Sequence, residues 1–221
     1  MEIGIAKSQK RFFIKEDLKK HCLVNDGWVT IQGDVIDVTN VIKSNRSKKG
    51  VENIIKYLGN DMSHLFKGAN KDPYIRNPIL SEELANNDKN YILHFPVHYI
   101  NDKSTLDVTP WFKDRSLIIG KMSKKEIKIQ ITNILTYQEE FLVVPVEETL
   151  DEICNRYLNC NFHARSYTWK DINENVLNMN LTLIENNLIS DLEALEYMEI
   201  PDEFKPVPAI YLFFNDDLTE I

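Results

Sequence analysis

An alternating stretch in the second half of the chain constrains the fold more than any other feature. Isoleucines stand at every second position from Ile127 to Ile131, with polar residues between them. This period of two predicts a strand with one buried face. The polar residues 137–139 then turn the chain into a second apolar run, residues 141–144, which Pro145 ends because proline has no N–H to donate to a ladder. The second half of the chain therefore begins with two strands.

A helix is predicted directly after these strands. Thr149 is followed three residues later by Glu152, which is the pattern of a capping box. Behind it, apolar residues recur at helical spacing and form one stripe. The residues of the stripe are Leu150, Ile153, Cys154, Tyr157 and Leu158.

The remaining elements of this half suggest a family of folds. Residues 166–169 predict a third strand, and the continuous apolarity of residues 209–214 indicates a buried closing strand. Residues 182–188 resemble a characteristic turn of ubiquitin. The whole succession resembles a ubiquitin-like β-grasp, which implies a scaffold or docking module. Modifiers of that family end in Gly-Gly, whereas the last glycine here is Gly120, so conjugation is not expected.

The first half of the chain resembles a cytochrome b5 domain. Residues 28–31 and 35–39 predict two strands joined by a Gly-Asp turn, followed by a helix capped near Thr39. With residues 58–66 and 117–122, they resemble the entry, middle and closing strand of that domain. We therefore predict an α+β chain with a cytochrome b5-like domain over residues 11–122, an insertion at about 80–115, and a ubiquitin-like β-grasp domain over residues 124–221.

The combination of the two domains is more specific than either one. With the runs at residues 163–170 and 208–220, it resembles the cytochrome b5 domain-containing family of ciliary proteins. That resemblance implies a place in the axoneme of the motile cilium or flagellum, contacts with radial spokes and other axonemal proteins, and a role in ciliary beating. The expected function is a non-enzymatic structural or interaction protein of the cytoskeleton.

The resemblance does not extend to the haem ligands of cytochrome b5. Residues 44–50 stand where that family has His-Pro-Gly-Gly, and they contain neither histidine nor proline. Asn77 falls about where the second axial histidine is expected. A b-type haem needs two facing imidazoles, so we expect no haem cofactor.

His64 is the remaining candidate ligand in the core motif. One interpretation makes it a haem or redox-sensing ligand, and the protein a haem-binding redox sensor of the same axonemal complex. The other makes it a structural histidine beside Phe66, because a single imidazole is a weak site.

No metal site is expected at the other histidines. His94 and His98 are four residues apart, but Pro96 between them excludes a helix and no cysteine or carboxylate accompanies them. His21 follows two lysines and is expected to be solvated, and His163 is expected to be a turn residue.

Charge and composition exclude other classes of function. The net charge of −8 argues against binding to nucleic acid. No apolar stretch approaches the length of a membrane span, and the first residues do not form a secretory signal. The three cysteines lack CxxC spacing, which favours a reducing compartment.

No catalytic motif is found in the sequence. It lacks a Gly-rich phosphate loop, a Ser-His-Asp pattern and paired carboxylates, so no enzymatic activity is expected. Residues 91–93 and the pair Trp111 and Phe112 are expected to be apolar anchors for partner proteins.

Overall fold

The chain divides between Met122 and Ser123 into two compact units, each with a sheet of its own. The computed structural model describes residues 11–47, 51–67, 77–78, 111–189, 197–201 and 204–215. Helices and strands occur together in both units, so the predicted α+β class is confirmed.

The first unit contains a five-stranded sheet in the order β1-β7-β4-β3-β2 and a separate two-stranded pair, β5-β6. β1 is parallel to β7, and the other pairs are antiparallel. The strands are β1 (Phe12–Phe13), β2 (Cys22–Leu23), β3 (Asp26–Ile31), β4 (Asp34–Asp37), β5 (Phe66–Lys67), β6 (Asn77–Pro78) and β7 (Ile118–Met122).

The predicted Gly-Asp turn is a tight hairpin between β3 and β4. Gln32 and Gly33 both have positive φ, 52° and 82°. Two left-handed residues in succession match the twist of a two-residue hairpin loop. The turn therefore sets the register that pairs Ile31 with Asp34.

The described residues of the first unit also form three short helices and three 3-10 turns. The helices are α1 (Lys15–Lys20), α2 (Thr39–Ser44) and α3 (Val51–Ile55). The 3-10 turns are Ser63–Leu65, Trp111–Lys113 and Arg115–Leu117. One side of the sheet and the apolar sides of α2 and α3 share a core that includes Ile31, Ile36, Ile42, Ile54 and Met62.

β1 approaches β7 so closely that the contact requires glycine. A Cβ atom on Gly120 would lie 2.3 Å from the carbonyl oxygen of Arg11 and 2.6 Å from the ring of Phe13. Any larger residue would push β1 away from its partner strand.

The second unit contains a four-stranded sheet in the order β10-β11-β8-β9. β11 is parallel to β8, and the other neighbours are antiparallel. The elements are β8 (Glu126–Asn133), β9 (Gln138–Pro145), α4 (Leu150–Tyr157), a 3-10 turn (Ala164–Ser166), β10 (Tyr167–Lys170) and β11 (Ala209–Phe214).

α4 begins with the predicted capping box. Thr149 Oγ1 accepts from the Glu152 backbone N–H at 3.3 Å, and a Glu152 carboxylate oxygen accepts from the Thr149 N–H at 2.9 Å. The apolar stripe of the helix then packs against one face of the sheet. Its buried members are Leu150, Ile153, Cys154 and Tyr157, while Leu158 is half-buried.

Two predictions about elements need comment. β11 is not buried on both sides: Ile210 and Leu212 are buried, but Tyr211 and Phe213 are half-buried and Phe214 is 51% exposed. The predicted insertion at about 80–115 lies outside the described residues as far as residue 110, and Trp111 and Phe112 near its end belong to the core of the first unit.

Candidate functional site

The corner between α2 and α3 is the place where the cytochrome b5 resemblance would put the first iron ligand. Asn45 ends α2: its backbone N–H donates to Ile42 at 3.2 Å, and its side-chain amide donates to the Val41 carbonyl at 2.8 Å. Arg46 follows and is exposed. An amide committed to the helix end and a guanidinium that cannot be deprotonated are not haem ligands.

A shallow basic cavity lies beside this corner. Its volume is about 280 Å³, and it is lined by Val24, Asn25, Lys43 and Arg46. Ligand pockets for small molecules usually start at about 300 Å³ and have mostly apolar walls. The volume of the cavity is slightly below that range, and two of its described lining residues, Lys43 and Arg46, are basic.

His64 lies on the 3-10 turn Ser63–Leu65, and its side chain is exposed. Its Nε2 atom is 3.3 Å from the hydroxyl of Tyr57, and the two ring centroids are 5.4 Å apart. The rest of the turn is tied to the sheet, since Ser63 Oγ accepts from the backbone N–H of Gln32 at 2.6 Å. The geometry is that of a surface histidine paired with a tyrosine.

The other histidine among the described residues of the first unit is His21, whose ring stacks on Trp28 and whose Nδ1 atom lies beside Asp26. His163 belongs to the second unit, where it precedes the 3-10 turn Ala164–Ser166 and is exposed, as expected for a turn residue. His94 and His98 lie outside the described residues. In the described part of the chain, the residues therefore do not fit a haem held by two histidines.

His21 is only partly solvated, whereas the sequence led us to expect a solvated side chain. Its ring stacks on Trp28 with centroids 3.4 Å apart and an interplanar angle of 11°. Its Nδ1 atom is 2.7 Å from a carboxylate oxygen of Asp26, and its side chain is 28% exposed. The hairpin of β2 and β3 creates this contact, because it folds His21 back onto Trp28 of β3. The two lysines before His21 in the sequence do not indicate this hairpin.

Trp111 and Phe112 are core residues, so the expectation that they anchor a partner protein is wrong. Both are 4% exposed, and the Phe112 ring lies 5.5 Å from that of Phe66. Trp111 Nε1 has no hydrogen-bond partner among the described residues. Residues 91–93, the other expected anchor, lie outside the described residues.

The second unit has a buried ion pair beside α4. Arg156 donates to both carboxylate oxygens of Glu148 at 2.7 Å, and Glu148 is 5% exposed. A bidentate pair of this kind fixes orientation and satisfies both groups. It therefore holds the loop before the helix rather than presenting a free acid or base.

A second cavity of about 280 Å³ opens near the start of α4. Its lining includes Asp151, Cys154, Arg165, Trp169 and Leu177. Asp151 and Arg165 pair at 2.9 Å, and burial raises the pKa of the Cys154 thiol, which keeps it protonated. An ion pair and a neutral thiol do not form a nucleophile with an adjacent base.

The described residues contain no group of three or more histidines, cysteines or carboxylates able to hold a metal ion. Nor does any helix among them have the length and apolarity needed to cross a membrane.

Comparisons with known proteins support the resemblance found in the sequence. The cytochrome b5-like heme/steroid binding domain family matches residues 15–92. Cytochrome b5 domain-containing protein 1 of Homo sapiens is 35% identical over 217 residues, covering 96% of this chain and 93% of that protein. The protein of the same name from Xenopus laevis is 37% identical over 218 residues, covering 96% and 97%.

A solved structure, the cytochrome b5 of Ostreococcus tauri virus 2, covers 50% of this chain and 94% of its own at 17% identity. Its TM-score of 0.25 is too low to carry an argument. The family match to residues 15–92 confirms the cytochrome b5-like prediction for the first unit.

Proposed function

The chain belongs to the family of cytochrome b5 domain-containing protein 1, and on this premise we propose that it is a non-enzymatic interaction protein of the motile-cilium axoneme. Its partners are radial-spoke and other axonemal proteins, and its role is to support ciliary beating. Neither nucleic acid nor a membrane is a partner. The ciliary part of the proposal rests on the family resemblance of the sequence.

One observation favours a role in binding over electron transfer: the cytochrome b5-like unit lacks iron ligands at its α2–α3 corner. Asn45 and Arg46 occupy this corner, and His64 pairs with Tyr57 at the surface. An electron carrier of the b type needs two axial imidazoles. A protein that acts through its surfaces does not, so the residues at this corner favour the second role.

The second unit is proposed to be a ubiquitin-like β-grasp that serves as a docking module. Three features support this assignment: the β8–β9 hairpin, the parallel pairing of β11 with β8, and the packing of α4 against one face of the sheet. Together they follow the succession of elements that the sequence resemblance implies. The β-grasp supplies a stable sheet surface and no catalytic pocket.

The absence of haem is tested by reconstitution. The full chain is purified, mixed with excess haem and desalted, and its absorption spectrum is recorded. We expect no stoichiometric Soret band, because Asn45 and Arg46 stand at the corner where the first axial imidazole is expected and a b-type haem needs two. A stable low-spin spectrum at one haem per chain would support the alternative function, a haem-binding redox sensor. His64→Ala would then show whether His64 is a ligand.

The ciliary assignment is tested in ciliated cells that express the tagged protein at its normal level. We expect the protein to remain with the axoneme after detergent extraction and to leave only in high salt or chaotrope. Deletion is expected to change the coordination or waveform of beating while cilia still form. A diffuse cytoplasmic signal that is lost wholly into the detergent-soluble fraction would contradict the proposal.

A further inference from the structure

The cavity beside the α2–α3 corner is lined by two separate elements of the first unit. Val24 and Asn25 make up the turn between β2 and β3. Lys43 lies in the last turn of α2, and Arg46 follows the end of that helix. We define the basic cavity by these four residues. Asn25, Lys43 and Arg46 are exposed, so a ligand can reach them from solvent.

The sequence concentrates positive charge at this place. Residues 38–51 contain four basic residues and neither aspartate nor glutamate, whereas the whole chain has 34 acidic residues and a net charge of −8. A basic run on a flat surface is ordinarily solvated. Here two members of the run, Lys43 and Arg46, border a concave site. A cleft lined by charge of one sign concentrates the electric field and attracts ions of the opposite sign.

The two cations of the basic cavity are available to a ligand. Elsewhere Arg156 is held by Glu148 in an ion pair. In contrast, Lys43 and Arg46 form no ion pair with any residue that the structure describes. They can therefore bind an anion without first breaking another charged contact within the described part of the chain.

The carboxylates nearest in sequence are engaged elsewhere. Asp26 follows the β2–β3 turn, and its carboxylate lies 2.7 Å from Nδ1 of His21. Asp37 precedes α2, and its carboxylate accepts from the Thr39 N–H at 2.9 Å, at the helix end opposite the basic cavity. Glu52 of α3 is not one of the residues that line the cavity. The described walls are therefore positively charged.

The end of α2 opposes an anion less than a free helix end would. Carbonyl groups at the C-terminal end of a helix carry partial negative charge. Asn45 covers two of them: its backbone N–H donates to the Ile42 carbonyl at 3.2 Å, and its side-chain amide donates to the Val41 carbonyl at 2.8 Å. These two carbonyls are satisfied before an anion approaches.

The two elements that line the basic cavity are fixed to each other. Thr39 Oγ1 accepts from the Gly27 N–H at 3.0 Å, and the Val38 N–H donates to the Gly27 carbonyl at 3.0 Å. These bonds tie the start of α2 to β3, close to the β2–β3 turn. Val24 of that turn packs against the core of the first unit. Ligand binding therefore requires little ordering of the backbone, which favours affinity.

The donors of the basic cavity suit a phosphate monoester better than a carboxylate. A phosphate monoester has three terminal oxygens and close to two negative charges at pH 7. The Arg46 guanidinium is a planar fork that can bind two of these oxygens, and Lys43 supplies a second positive charge. The amide of Asn25 is a third donor, from the other element. A carboxylate has two oxygens and one charge, so it would leave part of this set unused.

The surroundings favour a phosphate group carried by a protein. The described lining residues offer no aromatic ring on which a nucleotide base could stack. The net charge of −8 opposes approach to an anionic membrane, where lipid phosphates are found. Exposed donors beside a small apolar wall, Val24, fit a side chain that projects from an extended segment. Arginine and lysine recognise phosphorylated segments in this way in many complexes.

We propose that the basic cavity binds a phosphoserine or phosphothreonine side chain of a partner protein. Arg46 holds two phosphate oxygens, Lys43 adds the second positive charge, and Asn25 donates a further hydrogen bond. Phosphorylation of the partner thereby controls its association with the first unit. The inference rests on the interaction role in the proposed function and is independent of the axonemal location.

The first test titrates an end-capped glycine–serine peptide with one phosphoserine into the ¹⁵N-labelled full chain. We expect chemical-shift changes centred on residues 24–25 and 43–46, with a Kd of about 1 mM or lower. The unphosphorylated peptide should cause none, and a peptide with glutamate in place of phosphoserine should bind about tenfold or more weakly. Equal binding of the glutamate and phosphoserine peptides, or shifts at other residues only, would overturn the proposal.

Charge variants show whether the basic cavity itself binds the peptide. Lys43→Gln/Arg46→Gln removes both charges, and the control Lys56→Gln/Lys113→Gln removes two exposed lysines elsewhere in the first unit. We expect the first variant to bind the phosphoserine peptide about tenfold or more weakly, and the control to stay within about twofold of the wild type. Arg46→Lys keeps the charge without the fork and should show a smaller loss. Equal losses in the two double variants would contradict the assignment.

Competing ligands identify the source of the phosphate. Inorganic phosphate, adenosine monophosphate and vesicles that contain a phosphoinositide are tested on the same full chain. We expect neither small phosphate to bind more tightly than the phosphoserine peptide, and the vesicles not to sediment the chain. Tighter binding of adenosine monophosphate, or sedimentation that Lys43→Gln/Arg46→Gln abolishes, would overturn the assignment to a phosphoprotein. All these measurements use the purified chain alone, so a failure here does not bear on the axonemal assignment.

Discussion

Two titratable groups on the buried side of α4 make the second unit sensitive to alkaline pH. Burial raises the pKa of Cys154 above its ordinary value of 9.0; Arg165 partly opposes this shift and Asp151 adds to it. Burial also raises the pKa of Tyr157 above 10.0, with a contribution from Cys160. Both groups are neutral in the folded unit at neutral pH.

The stability of the second unit is therefore expected to fall at high pH. A pKa that is raised by folding adds stability that is complete below the unfolded value and is lost as pH rises through the folded value. We expect the free energy of unfolding to begin to decrease near pH 9.0, as Cys154 and then Tyr157 ionise. This decrease is measured by urea unfolding at a series of pH values, with the NMR resonance of the Trp169 indole as the signal.

A matched variant separates the two groups. Cys154→Ala removes the thiol, so the decrease should begin at a higher pH, where Tyr157 alone ionises. An unfolding free energy that stays constant up to about pH 10.5 in the wild type would contradict the prediction.

The residue contacts that the sequence does not predict are those between residues that only the folded chain brings together. The contact between His21 and Trp28 depends on a hairpin register that local polarity does not reveal. The sequence places Trp111 and Phe112 in an inserted segment, which led to the expectation of apolar anchors for a partner protein. Their burial against Phe66 depends on packing between distant segments.

The start of α4 depends on the capping box formed by Thr149 and Glu152. Thr149→Ala removes the hydroxyl that accepts from the Glu152 N–H, so one N–H at the helix start loses its partner. We expect a loss of about 1 kcal/mol in the unfolding free energy of the second unit. Thr149→Ser keeps the hydroxyl and should lose much less. Equal losses in urea unfolding of the two variants would show that the cap does not stabilise the unit.

The pairing of β1 with β7 depends on one glycine. Gly120→Ala places a Cβ atom 2.3 Å from the Arg11 carbonyl oxygen, so the backbone of β1 must move. We expect the first unit to lose about 1–3 kcal/mol or more in unfolding free energy. The control is Gly33→Asn, since a Cβ atom on Gly33 would meet no atom within 4 Å and asparagine tolerates its φ of 82°. Thermal unfolding that leaves both variants alike would contradict this reason for glycine.

Elements with a strong local signal were predictable, and long-range pairings were not. The alternation from Ile127 to Ile131 and the capping box at Thr149 placed β8 and α4 correctly, because both patterns report local geometry. The third strand was placed one residue early, at 166–169 rather than Tyr167–Lys170. The half-exposed side of β11 was missed, because an apolar strand looks the same whether one face or both are covered.

For the whole molecule, each unit is expected to fold alone. The core of the second unit draws only on residues from Ile127 to Leu212, and neither main sheet takes strands from both units. A protein of residues 123–221 should therefore give dispersed NMR spectra, the Trp169 resonance of the full chain, and cooperative urea unfolding. Spectra without dispersion, or aggregation at NMR concentration, would show that this unit needs the first.

The position of β7 has a consequence for synthesis of the chain on the ribosome. β7 lies between β1 and β4, and its residue Lys121 pairs with Phe12, so the sheet joins the two ends of its unit. The nascent chain cannot complete this sheet until Met122 has left the exit tunnel, and until then β4 has one free edge. The β8–β9 hairpin, in contrast, joins neighbours in sequence and can form as soon as it emerges. Translation that stops before Ile118 would therefore release a product with an unpaired β4 edge, a natural target for chaperones and for aggregation.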